Sequence, residues 1–146
     1  MRQFISICGA VFLFGTTISI FAEEQKVQIR FIPFEMNTYF PVTKKKIAES
    51  YGYFGNVNID NIYISEISFL IGKALYGNLD ENKIRAEIIF PNGNVIYIDA
   101  NGGAQIGDKQ IKLSLENKER INNLLKLLTS EKIWTNNGGS NNIKIP

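Results

Sequence analysis

The chain has 146 residues, 45% of them hydrophobic and 21% charged, with no histidine, one cysteine and a formal net charge of +2. That is the composition of an ordinary folded chain of one domain's length. It excludes Ser-His-Asp and Cys-His nucleophiles, histidine-ligated zinc and histidine pH switches. A single cysteine excludes an internal disulfide and any thiolate cluster, so no cofactor or metal is expected.

Residues 1–22 read MRQFISICGAVFLFGTTISIFA. One positive residue, Arg2, precedes an apolar stretch from Phe4 to Phe21, and Ala22 precedes the polar run Glu23-Glu24-Gln25-Lys26. This is the layout of a secretory signal peptide. The stretch is also about the length that spans a bilayer, which makes a retained anchor the alternative; Gly9, Gly15, Thr16, Thr17 and Ser19 interrupt it and favour cleavage. Cleavage predicts a periplasmic or secreted product, 23–146, free of the membrane and of cysteine, since Cys8 leaves with the leader. Losing Arg2 leaves 15 basic against 14 acidic residues. So balanced a charge gives no field to recruit nucleic acid, which is not an expected partner.

Val27 to Phe34 alternates Val27, Ile29 and Phe31 with Gln28 and Arg30 and reads as a strand, with Pro33 at its end or on an edge. A loop, EMNTYF, follows and closes at Pro41. Thr43 can cap a short helix, KKKIAESYG, ending at Gly52. Three lysines in its first turn oppose the helix dipole. Tyr51 to Asn61 has glycines, asparagines and aromatics without period and reads as a loop, with Ile62–Ile64 as a short extended lead-in. Ile67, Leu70, Ile71, Ala74 and Leu75 then fall at helical spacing, with Ser65 as N-cap and Gly77 as stop.

Ile84, Ala86, Ile88 and Phe90 alternate with Arg85, Glu87 and Ile89. Turns at 91–94, 100–103 and 107–108 separate further apolar runs at 95–99, 104–106 and 110–113, and Asn-Gly pairs between such runs are strong hairpin signals. The region 84–113 is thus an antiparallel meander. Ser114 can cap a last helix whose stripe is Leu115, Ile121, Leu124, Leu125 and Leu128. The segregation of helices and antiparallel strands predicts an α+β fold, a four- to five-stranded sheet with helices packed on one face. One such domain is expected over 23–134, followed by a flexible polar tail, 135–146.

No segment spells a catalytic motif. Asp99-Ala-Asn101 opens like a calcium loop, but Ala104 and Gln110 stand where glycine and a bidentate glutamate are needed. Gly102, Gly103 and Gly107 lie between strands and cradle no phosphate. Ser65 and Ser68 near Lys73 lack SxxK spacing. Glu35 and Glu49 flank the aromatic loop, and two carboxylates about 5 to 9.5 Å apart can cleave glycosidic bonds. The less ordinary feature is a set of aromatics in irregular segments, Tyr39, Phe40, Tyr51, Tyr53 and Phe54, close in sequence to Lys44, Lys45 and Lys46. Tyrosine offers rigid contact area at low entropy cost. The expectation is a small exported, non-catalytic binding protein, of inhibitor or immunity type, that occludes a partner protein in the cell envelope through these residues. The alternatives are a cell-wall glycan binder or hydrolase using Glu35 and Glu49, and an accessory subunit of an envelope assembly.

Overall fold

The structure, a computed structural model, describes residues 25–49 and 52–132. The expected leader, 1–22, the tail from 135 and Tyr51 lie outside them. The described chain runs β1 (Lys26–Phe31), α1 (Lys44–Ile47), β2 (Gly52–Asn58), α2 (Ile62–Gly72), β3 (Leu75–Tyr76), β4 (Ile84–Ile89), β5 (Val95–Asp99), β6 (Gly103–Ile106), β7 (Lys109–Lys112), α3 (Leu115–Leu128) and β8 (Ser130–Lys132). All strands join one sheet in the order β3-β7-β6-β5-β4-β1-β2-β8, and every pairing is antiparallel. The class is α+β, as the pattern predicts, and the meander β4-β5-β6-β7 lies where its turns place it.

The sheet is larger than four or five strands because three further segments join it. β2 is one of them, and the expectation of a loop at Tyr51–Asn61 is corrected here. The strand pairs with β1 from Lys26 opposite Asn58 to Phe31 opposite Tyr53. Its lack of apolar period has a steric cause. A Cβ on Gly55 would lie 2.3 Å from the carbonyl oxygen of Leu128, so the end of α3 rests directly on the strand's backbone. β3 and β8, two and three residues long, are the other additions.

Helix boundaries move for local reasons. Asn61, not Ser65, caps α2: its Oδ1 accepts from Tyr63 N at 2.9 Å, which turns Ile62–Ile64 into the first helical turn. The helix stops at Gly72, before Gly77, because Leu75–Tyr76 are drawn into pairing with β7. α1 is one turn, so its three lysines meet little dipole. Ser114 caps α3, accepting from Asn117 N at 3.1 Å.

The core lies between one sheet face and the pair α2 and α3. Val27, Ile29 and Phe31 of β1, Ala86 and Ile88 of β4, and Ile96 and Ile98 of β5 meet Ile64, Ile67, Leu70 and Ile71 of α2 and Ile121, Leu124 and Leu125 of α3. Leu115, expected in the α3 stripe, is instead 67% exposed, and Leu75 is exposed as well. On the opposite face, where Tyr97 points, α1 contributes Ile47 to a smaller cluster with Ile32, Val42, Leu79 and Ile84. The two long helices share one face as expected, while α1 covers part of the other.

Asp99, 1% exposed, closes the fold between these layers. Its Oδ1 accepts from Asn101 N at 2.7 Å and Gly103 N at 2.9 Å, and its Oδ2 from Asp80 N at 2.7 Å. Gly103 leaves room for this, since a Cβ there would lie 2.2 Å from Asn78 O and 2.4 Å from Asp99 Oδ2. Asp99→Ala strands three backbone donors, that of Gly103 buried and the other two partly buried, and should cost about 3–5 kcal/mol in chemical denaturation, the scale of breaking a charged hydrogen-bond network. Ile88→Ala and Leu125→Ala should each cost about 2–5 kcal/mol, whereas the exposed Leu115→Ala should stay within about 0.5 kcal/mol.

Candidate functional site

The loop between β1 and α1 leaves the sheet at Ile32 and returns at Val42, and both legs are fixed by buried groups. On the outgoing leg, Phe34 N donates to Asn122 Oδ1 at 3.0 Å, and Asn122 Nδ2 donates to Glu35 Oε2 at 3.0 Å. Lys126 pairs with the other carboxylate oxygen of Glu35. Further along, Arg85 Nη2 donates to Met36 O at 3.3 Å and to Thr38 Oγ1 at 3.2 Å. On the returning leg Val42 N donates to Asn82 O at 3.0 Å and Val42 O accepts from Ile84 N at 2.8 Å. Between these anchors stand Tyr39, 100% exposed, and Phe40, 75% exposed.

Arg85 can reach the loop because the β4–β5 register slips between Ile84 and Ala86. A bulge of this kind re-aims the side chain of the extra residue. Arg85 is 5% exposed, and among the described residues its Nε has no hydrogen-bond partner. Burial pushes the guanidinium pKa down, and the charge of nearby Asp99 acts against that.

The three lysines part company. Lys44 turns onto the sheet, donating to Gln105 Oε1 at 2.7 Å and Glu81 Oε1 at 3.0 Å with its Nζ 5.3 Å from the Tyr97 ring centre. Lys45 is exposed. Lys46 sets its Nζ 6.0 Å from the centre of Phe40, so a cation accompanies the exposed aromatic pair. Tyr53 does not join them: it packs on the core, its ring 6.1 Å from Phe31. Phe54, half-buried, stands opposite Arg30 on the other face of β2. Of the expected binding set, the structure brings Lys46 to Phe40, with Tyr39 and Lys45 exposed next to them in the chain.

Glu35 serves as a tie between loop and helix. The Lys126 ammonium, hydrogen-bonded to it, lowers its pKa to about 2, with backbone and Asn122 hydrogen bonds adding to the effect. Such a carboxylate is ionised at neutral pH, as a base or nucleophile must be, but both its oxygens are engaged. Glu49 is exposed just after α1. Among the described residues, no three His, Cys, Asp or Glu side chains form a group able to hold a metal ion.

Beneath α1 a polar row crosses the sheet in register, Arg30, Glu87, Tyr97 and Gln105, with Phe54 at its end opposite Arg30. Glu87, its side chain 7% exposed, pairs with Arg30 and accepts from Tyr97 OH at 3.0 Å. Burial and the hydrogen bond to Glu87 raise the Tyr97 pKa to about 12. Sequence pattern alone misses this row and Arg85, because charges alternating with isoleucines read as a solvated face. The signal that could have found them is their pairing of sign, Arg30 with Glu87, on adjacent strands.

Comparison with protein-family models, with curated proteins and with solved structures finds no match. The site is therefore read from its geometry. In alkaline titration followed by phenolate absorbance, Tyr97 should ionise only near pH 12, and Glu87→Gln should bring that step to lower pH. A raised folded-state pKa means that the hydrogen bond contributes fully below the ordinary value of 10.0 and is lost as pH rises through about 12.

Proposed function

We propose that this chain is a small exported binding protein that holds a partner protein through the Tyr39–Phe40 tip, occluding part of the partner's surface without chemistry of its own. The observation that carries this reading is the contrast within one loop, whose legs are pinned by Arg85, Asn122 and Val42 while its tip sets two large aromatics in water. Ordering a loop before binding removes the conformational cost from the binding step, and aromatic anchors of this type dominate protein interfaces. Lys46 beside the tip suits a partner whose pocket has an acidic rim. Export is read from the leader-like order of residues 1–22, and no helix among the described residues is long and apolar enough to cross a membrane.

Two measurements test the reading. Amino-terminal sequencing of the protein recovered from the cell envelope should begin at Glu23; a chain still beginning at Met1 removes the cleaved-leader part. In a cross-linked pull-down from envelope extract, one stoichiometric protein should be captured by the native chain. Tyr39→Ala with Phe40→Ala should reduce that capture at least ten-fold with the far-ultraviolet circular dichroism unchanged. Capture undiminished by the double variant would sink the proposal.

A further inference from the structure

Two turns of the described chain set an asparagine before a glycine: Asn92-Gly93 between β4 and β5, and Asn101-Gly102 between β5 and β6. In such a pair the glycine nitrogen can attack the asparagine side-chain amide, because no Cβ on glycine hinders the approach. The two turns share one backbone form. Gly93 N donates to Phe90 O at 2.9 Å and Gly102 N to Asp99 O at 3.1 Å, with φ of +84° and +86° at the glycines. Their surroundings differ.

The first turn is open. Pro91, Asn92, Gly93 and Asn94 are all exposed, and nothing lies within 4 Å of where a Cβ on Gly93 would stand. Asn94 N donates to Asn92 Oδ1 at 3.0 Å. That bond polarises the carbon to be attacked and faces the oxygen on which negative charge would grow. The second turn is tied on every side. Asn101 N donates to Asp99 Oδ1 at 2.7 Å, Asn101 O accepts from Lys112 Nζ at 2.7 Å, and Gly102 O accepts from Leu113 N at 2.8 Å. Gly102 is buried, and a Cβ there would lie 3.3 Å from Lys118 Cδ. Gly103 N, the counterpart of Asn94 N, is taken by Asp99 Oδ1 at 2.9 Å. Asp99 also sets a negative charge beside a nitrogen that must lose its proton, which opposes the loss.

We propose that Asn92 is a site of spontaneous deamidation in the folded chain, and that the fold protects Asn101 from the same reaction. The Gly93 amide gives its proton to solvent, and its nitrogen attacks Asn92 Cγ. The N–Cγ bond forms, the Cγ–Nδ2 bond breaks, and Nδ2 takes a proton and leaves as ammonia. One water then opens the cyclic imide. Attack at Cγ breaks the new bond and leaves aspartate. Attack at the main-chain carbonyl carbon breaks its bond to Gly93 N and leaves isoaspartate, with the main chain routed through Cγ. One ammonia is released, one water is consumed, and nothing is oxidised or reduced. The new carboxylate takes the formal net charge from +2 to +1.

Register places the two turns at opposite ends of the sheet. Gln28 pairs with Ile89 at the end where the β4–β5 turn lies. At the other end Phe31 pairs with Ala86 and Ile84 with Asp99, and there the chain leaves β1 for the Tyr39–Phe40 loop. The new charge therefore arises away from that loop, and the inference does not depend on the binding reading. The last ladder pair before the turn, Ile89 with Val95, is half-buried, and the core pair Ile88 with Ile96 begins one step inside. The modified turn thus adds its charge and its extra main-chain carbon outside the core. Opening an exposed turn locally costs less than opening one held by several bonds, so the two asparagines age at different rates.

Peptide mapping of the full chain tests it. The chain is incubated at mildly alkaline pH, folded in one sample and in guanidinium chloride in the other. Chymotryptic cleavage after Tyr97 and Trp134 separates Asn92 and Asn101 from each other and from a third Asn-Gly pair, 137–138, outside the described residues. The mass gained on exchanging amide for acid, with the isoaspartate content, gives a rate for each peptide. Protection is the denatured rate divided by the folded rate, and it should be at least ten-fold greater at Asn101 than at Asn92. In water enriched in heavy oxygen the Asn92 product should carry one labelled oxygen. Asn92→Gln, whose attack would need a larger ring, should remove that product and leave the Asn101 rate unchanged. Equal or reversed protection would overturn the inference. So would an unlabelled product, or a folded chain intact at Asn92 after the denatured chain has converted.

Discussion

The carboxylate of Asp99 sits at the end of β5 with three backbone N–H groups turned towards it. A buried carboxylate in this position is a charge that must be satisfied, because desolvating it without partners costs far more than any single contact returns. The satisfaction comes from two segments distant in sequence: the turn from β5 to β6, and the irregular stretch that carries the chain from β3 to β4. Asp99 is therefore the point at which the meander and the crossover are fixed relative to each other. The rest of that neighbourhood follows, since Ala100 N donates to Lys83 O at 2.8 Å and Val42 bridges to Lys83 in parallel. The loop that returns to the sheet at Val42 is thus held by the same corner that Asp99 organises.

Arg85 is the second buried charge of this corner, and its position depends on the first. The β-bulge in β4 lies opposite the end of β5, with Ile84 still in register with Asp99. The guanidinium gives its hydrogen bonds to Ile84 O, Met36 O and Thr38 Oγ1 and leaves Nε unpaired among the described residues. An unmade bond of this kind costs about 1–3 kcal/mol. An apolar residue of similar size would avoid that cost, but it could not grip the two acceptors of the loop. The fold thus accepts a local loss at Arg85 and gains a fixed path for residues 36–38, next to the aromatics that point into water.

The meander and the last helix are legible in the sequence because their signals are local. Asn-Gly turns need a positive φ, found at Gly93 and Gly102, and Ser114 precedes a period of 3.6. β2 is not legible for the opposite reason. Gly55 is set by the approach of α3, a contact made 73 residues away in sequence, and Gly52 by the backbone of Phe31, so both read as loop residues. The site is legible in the same proportion. Exposed aromatics beside lysines mark the tip of the loop, whereas its anchors, Arg85 and Asn122, sit in regular elements as one polar residue among many. Lys44 carries the same residue type as Lys45 and Lys46 but is a structural tie, and only its reach to Gln105 and Glu81 tells it from its neighbours.

Exposed apolar groups are common on protein surfaces, and single ones need no explanation. What separates the Tyr39–Phe40 tip from the rest is the effort spent around it. Burying such side chains on apolar surface would remove them from water, and the cluster around Val42 and Ile47 lies close at hand in the chain. Here hydrogen bonds from Asn122, from Arg85 and at Val42 hold the legs in a path that keeps the rings away from it.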